Sequence, residues 1–156
     1  HMLRILEYLD GAFTYTRDVP AGSPWLVDPL AGKIGLLSRL PNQNPPGFLA
    51  HVDIHLTGLA GAPGHTSQQQ QLAFLIDKAI QKMRVDLLHV HMDAMTLVKM
   101  NAQQLRQKGV ETIVNEMANL TTEVKSGWLD PNTGENTGGV LWMSSRLQQL
   151  ATILIS

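Results

Sequence analysis

The sequence predicts an α+β fold, in which a small antiparallel sheet packs on about three helices, and three observations lead to this prediction. Residues 66–107 contain no glycine or proline, and their apolar residues recur at a helical period. An Asp10-Gly11 pair separates two β-prone segments near the N-terminus. Residues 48–56 alternate polar and apolar side chains, as a half-buried strand does.

The N-terminal segment predicts an antiparallel hairpin. An Asp-Gly pair favours the tight turn whose two central residues need positive φ, and apolar and aromatic residues lie on both sides of it. The residues expected to face inward include Ile5, Phe13 and Tyr15. A short helix over residues 3–9 is the alternative interpretation of the same segment.

Residues 18–47 predict an irregular connection. Its six prolines restrict φ and remove backbone donors, which suits neither a helix interior nor a central strand. Two apolar stretches, 25–27 and 34–37, are candidates for short strands. A connection of this length in a small domain typically covers a site or wraps a partner.

The strand predicted at 48–56 carries a candidate metal site. Val52, Ile54 and Leu56 would face one side of it, and three potential metal ligands would face the other. Those ligands are His51, Asp53 and His55. Imidazole and carboxylate groups bind divalent transition metals such as zinc, manganese or iron, so the face would suit a metal-dependent hydrolase. A polar strand face without metal is the ordinary alternative.

The stretch 66–107 predicts one long central helix, with Thr66 or Ser67 as its N-cap and Gly109 just beyond its end. Unbroken, it would be roughly 60 Å long, so we expect a break near residues 84–86 or a projection into a partner. Apolar residues cover most of its circumference, which is typical of a helix buried on several sides. Other helices, a sheet or a second subunit are expected to cover it.

A narrow polar ribbon along this helix contains the candidate catalytic residues Asp86, His89 and Asp93. A carboxylate one turn from an imidazole can orient the ring or raise its pKa, as a general base requires. A solvated strip on a mostly buried helix explains the same pattern without catalysis. His91 lies nearer the apolar side, which predicts a hydrogen-bonded core histidine rather than a metal ligand.

The methionines of this helix predict an adaptable apolar surface, although core filling is the alternative. The candidate contacts for an apolar small molecule or peptide are Met83, Met92, Met95 and Met100. Residues 58–67, before the helix, are expected to form a flexible connection because their spacing fails the phosphate-loop pattern. Two further helices are predicted at about 110–126 and 141–154, joined by a turn at 128–134; a strand over 151–155 is an alternative for the last residues.

Composition limits the classes of function. The net charge is −1 without a basic cluster, which argues against nucleic-acid binding, and no window predicts a membrane span. The absence of cysteine excludes disulfides and thiolate metal sites. Charged residues make up only 16% of the chain, and this low share favours a self-interface that is buried between subunits.

We expect one domain over residues 3–156, with a β- and loop-rich half at 3–60, a helical half at 66–156, a cloning scar at 1–2 and a cytoplasmic location. No diagnostic catalytic motif is present, so enzymatic activity is not the favoured prediction. The favoured function is a binding or assembly protein without a cofactor, acting as a homo-oligomer through an apolar helical face. A metal-dependent hydrolase and an apolar small-ligand binder are the alternatives.

Overall fold

The computed structural model describes residues 1–12, 15–24, 28, 31–38, 40 and 42–153. Within them, 66% of the residues are helical and the only sheet is one two-stranded hairpin. The predicted α+β class is therefore wrong, because the N-terminal half contributes helices instead of a sheet. The described part of the chain is a bundle of helices around one long central helix.

The helices and strands of the described residues follow a simple order. The helices are α1 (Met2–Asp10), α2 (Phe48–Ala60), α3 (Ser67–Lys99), α4 (Lys108–Ser126) and α5 (Gly139–Ile153). Two short 3₁₀ helices cover Tyr15–Arg17 and Gln104–Arg106. Strands β1 (Trp128–Leu129) and β2 (Asn136–Thr137) pair antiparallel, with Trp128 opposite Thr137.

The predicted N-terminal hairpin is wrong, and the alternative of a short helix is right. Leu6 and Leu9 lie on one side of α1 and are buried, which is helical spacing. Gly11 ends the helix with φ +83°, and its N–H donates to the Glu7 carbonyl at 2.8 Å. A glycine with positive φ can form a hairpin turn, but it can also end a helix. Here Asp10-Gly11 marks the C-terminal end of α1. Tyr15 is buried as predicted, and Phe13 lies outside the described residues.

The predicted strand at 48–56 is also wrong, because these residues form α2. Leu49, Val52 and Leu56 recur at steps of three and four, and the outer two are buried. Ile54, which the strand would have buried beside Val52, is exposed. A short alternating segment also fits a helix, and packing on α3 decides between the two.

The long helix is confirmed, but its boundaries differ from the prediction. Thr66 caps α3: its Oγ1 accepts from the Gln69 N–H at 3.2 Å, and its own N–H donates to Gln69 Oε1 at 2.7 Å. The helix continues through 84–86 without the expected break. It ends at Lys99 because Asn101 Oδ1 accepts from two backbone N–H groups and starts a separate turn. Gly109 therefore lies in the first turn of α4 and does not terminate α3.

Helix α3 is the centre of the core, since α1, α2, α4 and α5 all pack on it and α4 also packs on α5. Its buried apolar residues include Ile76, Ile80, Met83, Leu87, Val90 and Ala94. The predicted second and last helices are confirmed as α4 and α5. No helix among the described residues has the length and apolar character needed to cross a bilayer.

The predicted connection 18–47 is irregular where it is described, whereas the one predicted at 58–67 covers only 61–66, because α2 continues to Ala60 and α3 begins at Ser67. Residues 34–37 form no strand, and 25–27 lie outside the described residues. The predicted turn at 128–134 is confirmed as the hairpin loop between β1 and β2, where the Asn132 N–H donates to Asp130 Oδ1 at 2.8 Å. Residues 151–153 continue α5, while 154 and 155 lie outside the described residues.

Candidate functional site

Helix α3 exposes an apolar ridge on the side opposite its core face. The residues of this α3 ridge are Phe74, Val85, Leu88 and Met92. Their exposed fractions run from 37% to 57%, although they belong to the most central helix of the bundle. At about 100° per residue, all four lie within a sector of roughly 60°. They therefore lie along one line of the helix surface, with Lys78 and Gln81 between Phe74 and Val85.

The spacing of the α3 ridge resembles the seam of a coiled coil. From Phe74 to Met92 the exposed positions advance by alternating steps of four and three residues, with Lys78 and Gln81 in the two polar positions. The Lys78 ammonium lies 4.5 Å from the centroid of the Phe74 ring, so its stem runs along the ridge. This geometry suits packing against another helix.

An apolar groove of about 450 Å³ lies between α1, α3 and α4. Its lining residues are Met2, Ile5, Tyr8, Leu9, Leu36, Leu87, Val90, Val114, Met117, Ala118 and Thr121. The two hydroxyl groups of this lining already have partners. Tyr8 donates to Asp28 Oδ2 at 3.0 Å, and Thr121 donates to the Met117 carbonyl at 2.7 Å. The α1–α3–α4 groove therefore presents an almost entirely apolar surface.

A buried polar cluster lies on another side of α1. His91 of α3 places Nε2 3.0 Å from Asp10 Oδ2 and 3.3 Å from Asp18 Oδ2. Asp10 ends α1, and Asp18 follows the 3₁₀ helix Tyr15–Arg17. The contact confirms the predicted burial and hydrogen bonding of His91. Within the described residues, this is the one group of three whose ligand atoms could share a metal ion.

Two further buried polar residues, Glu7 and Tyr15, lie close in sequence to Asp10 and Asp18. Glu7 is fully buried, and its Oε2 accepts from the Asp28 N–H at 2.8 Å. The Tyr15 hydroxyl is buried without a hydrogen bond to any described residue. Burial raises the pKa of Tyr15, and the nearby Glu7 carboxylate raises it further.

The three candidate catalytic residues of α3 differ in their exposure to solvent. Asp86 is buried and bonded to the Lys82 ammonium at 2.6 Å, whereas His89 is exposed. Asp93 is partly buried. Burial raises the pKa of Asp93, Glu116 of α4 raises it further, and His89 lowers it by a smaller amount. Asp86 therefore belongs to an ion pair, and catalysis by His89 or Asp93 stays a prediction.

The three candidate metal ligands of the predicted strand do not share a face in α2. The rings of His51 and His55 stack with their centroids 4.7 Å apart, on an exposed side of the helix. Asp53 points instead toward α3, where it accepts from Gln81 Nε2 at 3.2 Å. Burial raises the pKa of Asp53, and the Asp77 carboxyl raises it further. The prediction that the three side chains share one face of a strand was wrong because they lie on a helix, which turns by about 100° per residue.

The candidate methionines are likewise dispersed. Met83 is fully buried in the core, Met92 is exposed on the α3 ridge, and Met95 and Met100 are partly buried. Of these, Met100 lines a smaller cavity, of about 340 Å³, near the C-terminal end of α3. The larger groove is lined by two other methionines, Met2 and Met117. The prediction of a methionine surface that binds an apolar ligand stays untested at the four named positions.

Sequence reasoning missed Asp10 and Asp18 because it placed Asp10 in a hairpin turn and Asp18 in an irregular connection. Their spacing of eight residues carries no recognisable ligand signature, and His91 lies 81 residues from Asp10. The alternative interpretation, a short amphipathic helix over 3–9, could have indicated that Asp10 lies buried at the end of that helix. Comparison of the chain with protein-family models, with curated proteins and with solved structures found no match.

Proposed function

We propose that this chain is a binding or assembly protein that acts as a homodimer through the α3 ridge. The observation that carries the proposal is a strip of four exposed apolar side chains along a helix that is otherwise the centre of the core. Exposed apolar side chains aligned on one face of a helix are typical of interaction sites in folded proteins. The low share of charged residues, 16%, agrees with a surface that is partly covered by a partner.

A second copy of α3, running antiparallel, fits this strip better than a parallel one. A parallel pairing in register would place the two Lys78 ammonium groups against each other, which is unfavourable. An antiparallel pairing centred near residue 83 places Phe74 against Met92 of the second copy at both ends. Methionine sulfur and aromatic rings make favourable contacts, and the Lys78 stem meets Leu88 of the second copy. The resulting interface is self-complementary, as two-fold symmetry requires.

Substitution of Val85 by Asp tests this interface. Val85 is 51% exposed in one chain, so closing the dimer would bury about half of the side chain, worth about 1 kcal/mol in each copy. Loss of that burial in both copies corresponds to a dimer dissociation constant weakened by about 30-fold or more. Val140, which is 44% exposed on α5, provides the matched control V140D. The fold of each single chain is expected to tolerate both changes because the side chains are exposed.

Sedimentation equilibrium across the micromolar range measures the outcome. We expect the parent protein and V140D to dimerise with similar constants, and V85D to shift toward monomer. A parent protein that stays monomeric at every concentration would refute the proposal. Equal dimerisation by V85D and V140D would place the interface elsewhere and would refute this assignment of the ridge.

A second candidate function is the binding of an apolar small molecule in the α1–α3–α4 groove. Its volume of about 450 Å³ lies within the range of natural small-ligand sites. Leu36 from the proline-rich connection contributes to the lining, and Met2 and Met117 can adjust to an irregular ligand. The apolar lining favours a largely hydrocarbon or aromatic ligand without charge.

N-phenyl-1-naphthylamine, a neutral apolar fluorophore, is a suitable probe of the groove. Ala118 lines the groove from α4, so A118F is expected to fill the space and weaken probe binding at least tenfold. N119F places the same ring at an exposed neighbouring position of α4 that does not line the groove. Absence of probe binding by the parent, or equal binding by A118F and N119F, would rule out this site.

A further inference from the structure

We infer that Asp10, Asp18 and His91 form a binding site for a divalent transition-metal ion. The three residues come from the end of α1, the segment after the first 3₁₀ helix, and the C-terminal third of α3. Their candidate ligand atoms all lie within 4.8 Å of one another. The site is distinct from the α3 ridge and from the residues that line the α1–α3–α4 groove.

The distances around His91 match those between neighbouring ligands of one metal ion. Its Nε2 lies 3.0 Å from Asp10 Oδ2 and 3.3 Å from Asp18 Oδ2. Two ligand atoms at about 2.1 Å from a metal are about 3.0 Å apart at right angles and about 3.4 Å apart in a tetrahedron. Both observed contacts fall in this interval, and the candidate ligand atoms of Asp10 and Asp18 lie within 4.8 Å of each other.

Two carboxylate oxygens converge on one nitrogen of the imidazole. They approach the same Nε2 of His91, and this nitrogen carries at most one hydrogen. A metal ion in place of that hydrogen would bind the neutral imidazole and both carboxylates at once.

The donor set and its burial indicate the class of ion. One imidazole with two carboxylates favours zinc, manganese or iron, whereas calcium and magnesium prefer oxygen ligands alone. Asp10 and His91 are almost fully buried, and Asp18 is 28% exposed, which gives an ion access from solvent. The Asp18 N–H donates to the Tyr15 carbonyl at 3.0 Å, so the segment that carries Asp18 is held in place. Three protein ligands leave coordination positions open for water or a small molecule.

Zinc binding provides a direct test. The protein is stripped with a chelator, transferred to chelator-free buffer and titrated with ZnCl₂ in a calorimeter. We expect one equivalent to bind, with a dissociation constant at least tenfold weaker in D18N. Asp18 is suited to substitution because its side chain is partly exposed. The double variant H51A/H55A is the control, because two histidines one helical turn apart can themselves bind zinc.

Two further measurements identify the ligands. At about 100 times the dissociation constant, zinc is expected to raise Tm by about 5–10 °C in the parent and in H51A/H55A, but not in D18N. In the parent alone, Mn²⁺ should broaden the ring resonances of His91 and leave those of exposed His65 sharp, so the assignment does not depend on a variant that folds. The inference is overturned if the parent binds no stoichiometric zinc, if D18N binds as tightly as the parent, or if H51A/H55A loses the site.

Discussion

Removal of the Lys82 ammonium should show how much its ion group with Asp86 and Glu123 stabilises the fold. Lys82 Nζ donates to Asp86 Oδ2 at 2.6 Å and to Glu123 Oε2 of α4 at 3.0 Å. It also lies 4.7 Å from the centroid of the Trp128 ring. Asp86 is the buried member of this group, so the substitution K82M would leave its carboxylate without its cation while keeping most of the side-chain volume.

The expected cost follows from the exposure of each partner. The Asp86 side chain is only 8% exposed, and a hydrogen bond to a charged group contributes about 1.5–3 kcal/mol. The Glu123 side chain is 43% exposed, so its pairing with Lys82 contributes about 0–1 kcal/mol. We therefore expect K82M to lose about 2–3 kcal/mol of unfolding free energy, or about 5–10 °C in Tm. E123Q should lose less than about 1 kcal/mol.

Urea denaturation followed by circular dichroism at neutral pH measures these differences. Adding D86N to K82M removes the unpaired carboxylate and should recover part of the loss, because an amide costs less to bury than a charge. A loss below about 1 kcal/mol in K82M, or an equal loss in E123Q, would refute the assignment of the stabilising contact to Asp86. The first result would show that the ion group contributes little to stability, and the second would assign its contribution to the contact with Glu123 of α4.

The same contact predicts a dependence on alkaline pH. Burial lowers the pKa of Lys82, but hydrogen bonds to Asp86 and Glu123 outweigh that effect and raise it above the ordinary value of 10.5. The charged lysine is therefore favoured in the folded state. Its contribution is fully present below the unfolded pKa and is lost as pH rises through the folded pKa. The stability difference between the parent and K82M should shrink above about pH 10.5.

Two further substitutions test local features. The raised pKa of Asp93, caused first by burial and then by Glu116, means that its charge destabilises the fold. D93N should therefore raise Tm slightly at pH 7, and the gain should vanish as pH falls through that raised pKa; a lower Tm for D93N at pH 7 would contradict this. A Cβ on Gly138, where φ is +68°, would clash with the Trp128 ring, whereas Gly134, with φ +69°, has open space around it. In urea titrations followed by tryptophan fluorescence, G138A should lower the free energy of unfolding more than G134A does, and it should also shift the emission of the folded protein. Equal effects of the two substitutions would exclude the contact with the ring as the cause.

The helical half of the chain was predictable because its signals are long and local. Thr66 and Gln69 form a capping box at the start of α3, and the apolar period then continues for several turns. The N-terminal half was not predictable in this way because its segments are short. Asp10-Gly11 ends helices as readily as it forms hairpins, and an alternating segment of nine residues also fits a helix. Tertiary packing on α3 settled both choices, and no local pattern contains that information.

The candidate metal site lies where local sequence patterns carried the least information. Asp10 and His91 are 81 residues apart and meet only because α1 packs on α3. Most of the buried surface of α3 is apolar, yet here the fold accepts two buried ionisable groups and the buried hydroxyl of Tyr15. Asp10 and His91 are almost fully buried and Asp18 is partly exposed, so the group combines a buried donor pair with access from solvent. One imidazole with two carboxylates is a donor set that suits a divalent transition metal, which is why the proposed ligand follows from the packing of α1 on α3 rather than from any local motif.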